Sequence, residues 1–340
     1  MKEQKYVIVT GGTGFIGSHA VVQLIDQGFT PVVIDDFRNS KRWILDRLKT
    51  ITGQPILHHE VNCANEAEVL EVFSKYERIE AVMHFAAYKS VGESVAQPLM
   101  YFQNNINSLA AILKAMKADE VEHLIFSSSC TVYGSPSMPE VTERTPIVKS
   151  ESPYGETKII CERLIEFECR ANPKLKATLL RYFNPIGAHP SALIGELPEG
   201  VPNNLVPYIT QAASGKRDKL TVFGDDYNTE DGSCLRDYIH VVDLARAHSS
   251  ALQWSLTQPQ GFCEAINLGT GEPTSVLGII KAFEEETGVK LNYTIGPRRP
   301  GDVEKIWANA AKANELLGWT CKYSVRDALA HAWKWECGGF

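Results

Sequence analysis

Residues 11–17 read Gly-Gly-Thr-Gly-Phe-Ile-Gly, directly after the β-branched run Tyr6-Val7-Ile8-Val9-Thr10 and directly before an apolar, helix-like stretch. Few short patterns constrain a fold as tightly. A strand that ends in closely spaced glycines and turns at once into a helix opens a βαβ unit. Gly11 permits the tight turn, Gly14 lets the backbone come close to a pyrophosphate, and Gly17 lets the helix pack on the strand. Counted from Gly12 the spacing is G-x-G-x-x-G; counted from Gly11 it is G-x-x-G-x-x-G. The helix start then offers free N–H groups and a partial positive charge to phosphates.

The next strand-like run, over 31–35, ends in Asp35-Asp36. This is close to twenty residues past the glycines, where a carboxylate accepts from the adenosine ribose hydroxyls. A carboxylate there also repels a 2′-phosphate, which favours NAD over NADP. Arg38 is the nearby residue able to take a phosphate instead.

Further strands are expected at 56–61, 80–85, 122–128 and 177–182, separated by helical patterns at 15–27, 65–76, 95–117 and 153–171. Strands alternating with helices pair in parallel through right-handed crossovers. The fold class this implies is α/β: a doubly wound, Rossmann-like parallel sheet with a smaller, interleaved α+β substrate lobe. After Asn184 the texture changes, because 185–236 is rich in Pro, Gly, Asn and Asp and carries one helix near 203–214. Long irregular stretches of this kind usually form ligand-binding loops. Regular patterning returns with helices near 241–256, 274–287 and 324–337 and a strand at 264–268. The division expected is an NAD-binding domain over 1–183, to which 237–269 returns, and a smaller lobe from 184–236 and 270–340.

A chain of 340 residues has room for such a second lobe. Its net charge of −7 argues against nucleic acid, whose backbone demands a basic face. No apolar run approaches the roughly 20 residues that span a bilayer, and no secretory signal precedes the first strand. A cytosolic protein is the expectation. The 8 cysteines include no C-x-x-C pair, so neither a metal site nor a disulfide framework is expected.

The strand at 122–128 runs into Ser127-Ser128-Ser129-Cys130-Thr131, and Ser152-Pro153-Tyr154-Gly155-Glu156-Thr157-Lys158 opens the next helix. Tyr154 and Lys158 are one turn apart and share a face. A phenol titrates near 10, so serving as a base at neutral pH needs a shift of about three units, or roughly 4 kcal/mol. A lysine ammonium and a positive nicotinamide ring are expected to supply it jointly. Ser129 lies at a strand's carboxyl end, where its hydroxyl can bind the sugar oxygen and relay a proton to Tyr154. A Tyr and a Lys one turn apart are often mere surface neighbours. Their conjunction with the glycine loop and the serine carries the weight.

These residues resemble the extended short-chain dehydrogenase/reductase superfamily and, within it, the UDP-galactose 4-epimerases. The resemblance covers essentially the whole chain. It is carried by His84–Ser94 (HFAAYKSVGES), Leu180–Pro190 (LRYFNPIGAHP), Pro202–Tyr208 (PNNLVPY), Phe223–Tyr227 (FGDDY) and Arg236–Val241 (RDYIHV). It implies that Ser129, Tyr154 and Lys158 are catalytic. It implies an NAD site formed by Gly11, Gly14, Phe15, Ile16, Asp35, Asn39, Ser40, Asn62, Cys63, Phe85, Ala86, Lys89, Asn104 and Phe183 together with that triad. It implies that Lys89, Ser129, Tyr154, Asn184, Asn204, Leu205, Phe223, Arg236, Arg299, Asp302 and Ile306 meet a UDP-sugar. Two arginines suit a diphosphate, since the guanidinium fork donates bidentate hydrogen bonds. The bland alternative is that Arg299 simply pairs with Asp302. The implied reaction is interconversion of UDP-galactose and UDP-glucose, in a homodimer paired through the helices around 95–117 and 153–171.

Three positions depart from the resembling pattern. Asn62 stands where an aspartate accepting from the adenine amino group is usual, and its amide oxygen can still accept. Cys130 replaces a small residue beside Ser129. Ile306 occupies the position that gates the sugar pocket, where a large tyrosine goes with plain hexoses and a smaller residue with N-acetylated ones. Isoleucine is intermediate, which leaves UDP-N-acetylhexosamines open as substrates. A dehydratase would carry Asp-Glu after the active serine, and here Cys130-Thr131 follow. A net dehydrogenase, or a fold that binds cofactor without turnover, are the other readings.

Overall fold

Strand β1 (Tyr6–Thr10) sits inside the main sheet of the computed structural model, which describes residues 4–299 and 302–338. Its neighbours are β2 (Thr30–Ile34) on one side and β4 (Ile79–His84) on the other. With β3 (Leu57–His59), β5 (His123–Ser127), β6 (Lys176–Tyr182) and β7 (Phe262–Leu268) they form a seven-stranded sheet in the order β7-β6-β5-β4-β1-β2-β3. Every pairing in it is parallel. Successive strand residues face opposite sides, so Val7 and Val9 enter one apolar layer while Ile8 enters the other. Both layers are capped by helices, which is why the strands are apolar throughout.

One layer is covered by α1 (Phe15–Asp26), α2 (Ile44–Thr52) and, from much later in the chain, α8 (Val241–Thr257). The other is covered by α3 (Glu66–Phe73), α5 (Pro98–Ala118) and α6 (Pro153–Ala171). A separate core gathers α7 (Leu205–Ala213), α9 (Val276–Thr287) and α11 (Val325–Cys337). Short strands knit distant segments together: 274–275, 235–236, 305–308 and 140–141 make one small sheet, and 184–186 pairs with 238–240. Strand 220–223 pairs with 293–296.

The single helix expected at 95–117 is two, α4 (Val91–Ala96) and α5, with α10 (Ala311–Leu317) later in the chain. Pro98 explains the break, because the residue before a proline is driven out of the helical region and Gln97 sits at φ −133° and ψ 59°. Helix α2 and α10 were not anticipated. Strand β2 stops at Ile34, one residue early, which leaves Asp35 free to turn into the space beyond the sheet. Among the described residues no helix is long and apolar enough to cross a membrane.

Candidate active site

The strand order reverses at β1, so the loops after β1 and β4 diverge and leave a crevice at the carboxyl ends of the strands. A cavity of about 490 Å³ fills that crevice. Gly11, Gly14, Phe15, Ile16, Asp35, Asn39 and Ser40 line one part of it. Asn62, Cys63, Phe85, Ala86, Lys89, Asn104, Tyr154 and Lys158 line another part, and Glu196, Asn204 and Tyr182 line it too. Gly11 adopts φ +67°, and a Cβ there would lie 2.9 Å from the Ala86 backbone nitrogen. Helix α1 starts at the cavity with no side-chain cap and no acidic residue in its first turn. Its unpaired N–H groups and positive end are thus uncompensated, which fits an anionic diphosphate.

Asp35 is almost fully buried and organises the turn beside the start of α1. Its Oδ2 accepts from the Thr13 backbone at 3.0 Å, and its Oδ1 accepts from Phe37 N at 3.0 Å and from Ser40 Oγ at 3.1 Å. Arg38, the residue that left a 2′-phosphate open, is already engaged: it pairs with Asp36 at 2.6 Å and donates to the Tyr88 hydroxyl at 2.6 Å. The Asn62 amide oxygen accepts from Ala64 N at 3.0 Å, so it closes its own turn as well as facing the cavity.

Tyr154 enters the cavity from the first turn of α6, whose N-cap Ser152 accepts from Gly155 N. Ser129 lies outside the cavity lining, yet its hydroxyl is close enough to the Tyr154 phenol to pull its pKa down. It also caps the short 3-10 turn Cys130–Tyr133, accepting from Thr131 N at 3.3 Å. Lys158, one turn beyond Tyr154, donates to the Ser127 carbonyl at 2.7 Å, and its ammonium lies 6.0 Å from the centre of the Tyr154 ring.

Burial pushes Tyr154 up from its ordinary value, with a weaker downward pull from the Ser129 hydroxyl. The protein alone therefore holds a neutral phenol. Burial likewise pushes the neighbouring Cys130 thiol up to about 12, which makes it an unreactive filler.

Lys158 is itself brought down to about 8, chiefly by burial, against weaker opposing pulls from Cys161 and Glu162. A folded-state value below the unfolded 10.5 means that the unfolded chain holds more protons between pH 8 and 10.5. The buried ammonium thus opposes folding fully below about pH 8, and that penalty fades as pH rises to 10.5. Replacing Lys158 with Met is expected to stabilise the nucleotide-free protein by about 1–3 kcal/mol at neutral pH. The gain should shrink towards zero at alkaline pH. Denaturant melts of both proteins across that range check it; a variant less stable than the parent at pH 7 would contradict it.

The residues expected at the sugar-nucleotide end fall into two groups. Arg299 forks onto Asp302 through Nε at 3.1 Å and Nη2 at 2.8 Å, and Arg236 approaches the same carboxylate at 3.9 Å. The Arg299 guanidinium also lies over the Phe223 ring. The simple Arg299–Asp302 pair is therefore present, and two arginines converge on one carboxylate. On the other side, Lys89 donates to Glu196 Oε1 at 2.8 Å and Asn204 donates to the same oxygen at 2.6 Å. Asn204 precedes α7, which begins at Leu205, without a capping side-chain hydrogen bond, and Asn184 donates its backbone N–H to Asp237 O. Ile306 and Phe183 are buried together in an apolar cluster with Val132, Tyr133 and Ile159, against which Cys130 packs. Phe183 thus stands behind the cavity wall.

Glu196 is a site residue that sequence reasoning missed. Its partner Lys89 lies 107 positions away, and no local spacing marks it. Tyr182 was also missed; its hydroxyl meets Ser127 Oγ at 2.7 Å and its ring lines the cavity.

With this geometry in place, comparison with known proteins is informative. The family model described as GDP-mannose 4,6 dehydratase matches residues 8–332. UDP-glucose 4-epimerase 2 of Oryza sativa subsp. japonica is 46% identical over 332 residues, 97% of this chain and 81% of that protein. The UDP-glucose 4-epimerase of Bacillus subtilis (strain 168) is 46% identical over 330 residues, 97% of this chain and 96% of that one. The crystal structure of UDP-glucose 4-epimerase from Bifidobacterium longum, in complex with NAD+ and UDP, matches with a TM-score of 0.94 at 42% identity, covering 98% of this chain and 99% of that chain. The chain belongs to the family this model describes and, within it, to the UDP-glucose 4-epimerases.

Proposed function

We propose that this protein interconverts UDP-galactose and UDP-glucose by transient oxidation at the sugar 4-position, with NAD held throughout. The observation that carries the proposal is one cavity with two chemistries: an uncapped helix start beside Asp35, and the Tyr154 phenol with Lys158 one turn on and the Ser129 hydroxyl nearby. When bound, NAD supplies the reversible hydride acceptor that inversion without net oxidation requires. Tyr154, as the phenolate that the positive nicotinamide ring of bound NAD and the Lys158 ammonium would together favour, takes the proton from the 4-hydroxyl and later returns it, with the Ser129 hydroxyl beside it to relay the proton. Arg236 and Arg299 are assigned to the diphosphate, to which a paired guanidinium can turn from Asp302. Ile306 is assigned to the hexose pocket, where an apolar side chain makes no hydrogen bond, so the sugar can present either face; Phe183 is assigned to the cofactor. A firm grip on UDP and a loose grip on the hexose are what inversion needs.

Asn184, Asn204, Leu205 and Phe223 are assigned to the uridine and sugar side, and Asn62, Cys63 and Asn104 to the cofactor. The lobes are taken as 1–183 with 237–269, and 184–236 with 270–340. Cytosolic operation is in keeping with eight free cysteines. A homodimer through α5 and α6 is supported by apolar side chains left outside the core on both helices, Leu99 at 76% exposure and Phe167 at 64%. Sedimentation of the purified protein at the monomer mass would count against it.

Supplying UDP-galactose and UDP-N-acetylgalactosamine separately, with no added cofactor, tests the activity. UDP-glucose should appear from the first, and extraction of the denatured protein should release NAD without NADP. Failure to form any UDP-glucose would refute the proposal. Conversion of the second substrate would extend the specificity past Ile306 to acetamido sugars.

A further inference from the structure

Three successive serines run from the last residue of β5 into the turn that Ser129 caps, and each is met from the same face of α6. The Ser129 hydroxyl neighbours the Tyr154 phenol, Ser127 O accepts from Lys158 at 2.7 Å, and Ser128 Oγ donates to Glu162 Oε1 at 2.5 Å. Tyr154, Lys158 and Glu162 recur at intervals of four and therefore form one row along the helix. The first two rungs belong to the reaction proposed above. The third lies behind it, and Glu162 and Arg181 are both almost fully buried.

Glu162 has no freedom of its own. Arg181, from β6, donates to Oε1 through Nε at 2.9 Å and to Oε2 through Nη2 at 2.6 Å. The third Arg181 nitrogen, Nη1, donates to the Tyr133 hydroxyl at 3.1 Å, and Tyr133 donates to Asn267 Oδ1 at 2.6 Å. Asn267 in turn donates to Val141 O at 3.0 Å. Tyr133 closes the very turn that Ser129 caps. The network thus holds both flanks of Ser129, at Ser128 before it and at Tyr133 after it. Fully satisfied buried charges impose one geometry, whereas apolar packing tolerates small slides.

We infer that Glu162, clamped by Arg181, is a positioning residue that keeps the Ser129 hydroxyl in hydrogen-bond register with Tyr154. It touches neither sugar nor cofactor. The inference rests on the roles proposed for Ser129 and Tyr154, and it deepens them by naming what fixes their separation. A displacement of about 1 Å at such a pair is enough to cost on the order of a hundredfold in rate.

Two variants test it in the NAD-loaded protein with UDP-galactose: Glu162→Gln, and the milder Ser128→Ala, which removes only the hydroxyl that Glu162 holds. Turnover is expected to fall about a hundredfold in the first and about tenfold in the second. KM and bound NAD should stay within about twofold of the parent in both. The lower limb of the kcat–pH profile should also move to higher pH, because a phenolate that loses its Ser129 partner is harder to form. Unchanged kcat and an unchanged pH limb in Ser128→Ala would overturn the inference, whether or not Glu162→Gln folds. A parent protein inactive on UDP-galactose would instead overturn the functional reading, and this inference with it.

Discussion

Replacing Tyr154 with Phe is expected to lower turnover of UDP-galactose about a thousandfold while leaving the bound NAD in place. The size follows from the loss of a positioned general base, which is worth on the order of 10²–10⁴ in rate. The selectivity follows from geometry. Phenylalanine keeps the ring that fills the buried site and deletes only the hydroxyl that Ser129 meets. The phosphate end of the cavity, built from the Gly11 turn and the start of α1, is untouched. Because burial already holds the phenol neutral, the substitution also removes a poorly solvated polar group and should cost little stability. Steady-state kinetics and NAD content on one preparation check the claim. Turnover within tenfold of the parent would remove Tyr154 from the role of base.

Gly17→Ala should do the opposite, emptying the site by disturbing the fold beneath it. In an ordinary helix this change stabilises by about 1 kcal/mol. Here a Cβ would collide with the Gly11 carbonyl oxygen and lie 2.9 Å from its carbon and 3.0 Å from the Gly12 Cα. All three atoms are backbone of the turn itself, so no side chain can yield. Either α1 lifts off β1 or the turn opens, and overpacking of this kind costs about 1–3 kcal/mol. The same shift moves the N–H groups intended for the diphosphate. The purified variant should retain less than about a tenth of the parent's NAD, consistent with the need for close backbone approach. It should also unfold at lower denaturant. Full NAD content would show that Gly17 has another purpose.

Much of this molecule is legible before any coordinates are drawn, and the reason is locality. The Gly11–Gly17 turn, Asp35 at a strand end, and Tyr154 with Lys158 on one helical turn are all set by spacing along the chain. Their placement around one cavity follows from parallel strand order alone. Pro98 marks a helix break that the apolar pattern around it conceals. The clamp of Glu162 by Arg181 is invisible for a different reason: its members come from α6, β5 and β6, and only tertiary packing brings them together. The same holds for Glu196, which joins Lys89 to Asn204. The electrostatics were the least readable part. Spacing puts Lys158 and Tyr154 on one face, but it does not show that Lys158 donates to Ser127 O or that burial dominates the phenol before the cofactor binds.

The most direct test of hydride removal and return is an isotope experiment. UDP-galactose carrying deuterium on the sugar's fourth carbon is incubated in ordinary water with the purified protein and no added cofactor. Removal and return of the hydride within one closed site predicts UDP-glucose that keeps essentially all of the deuterium at that carbon. Product formed with the label lost to solvent would contradict it.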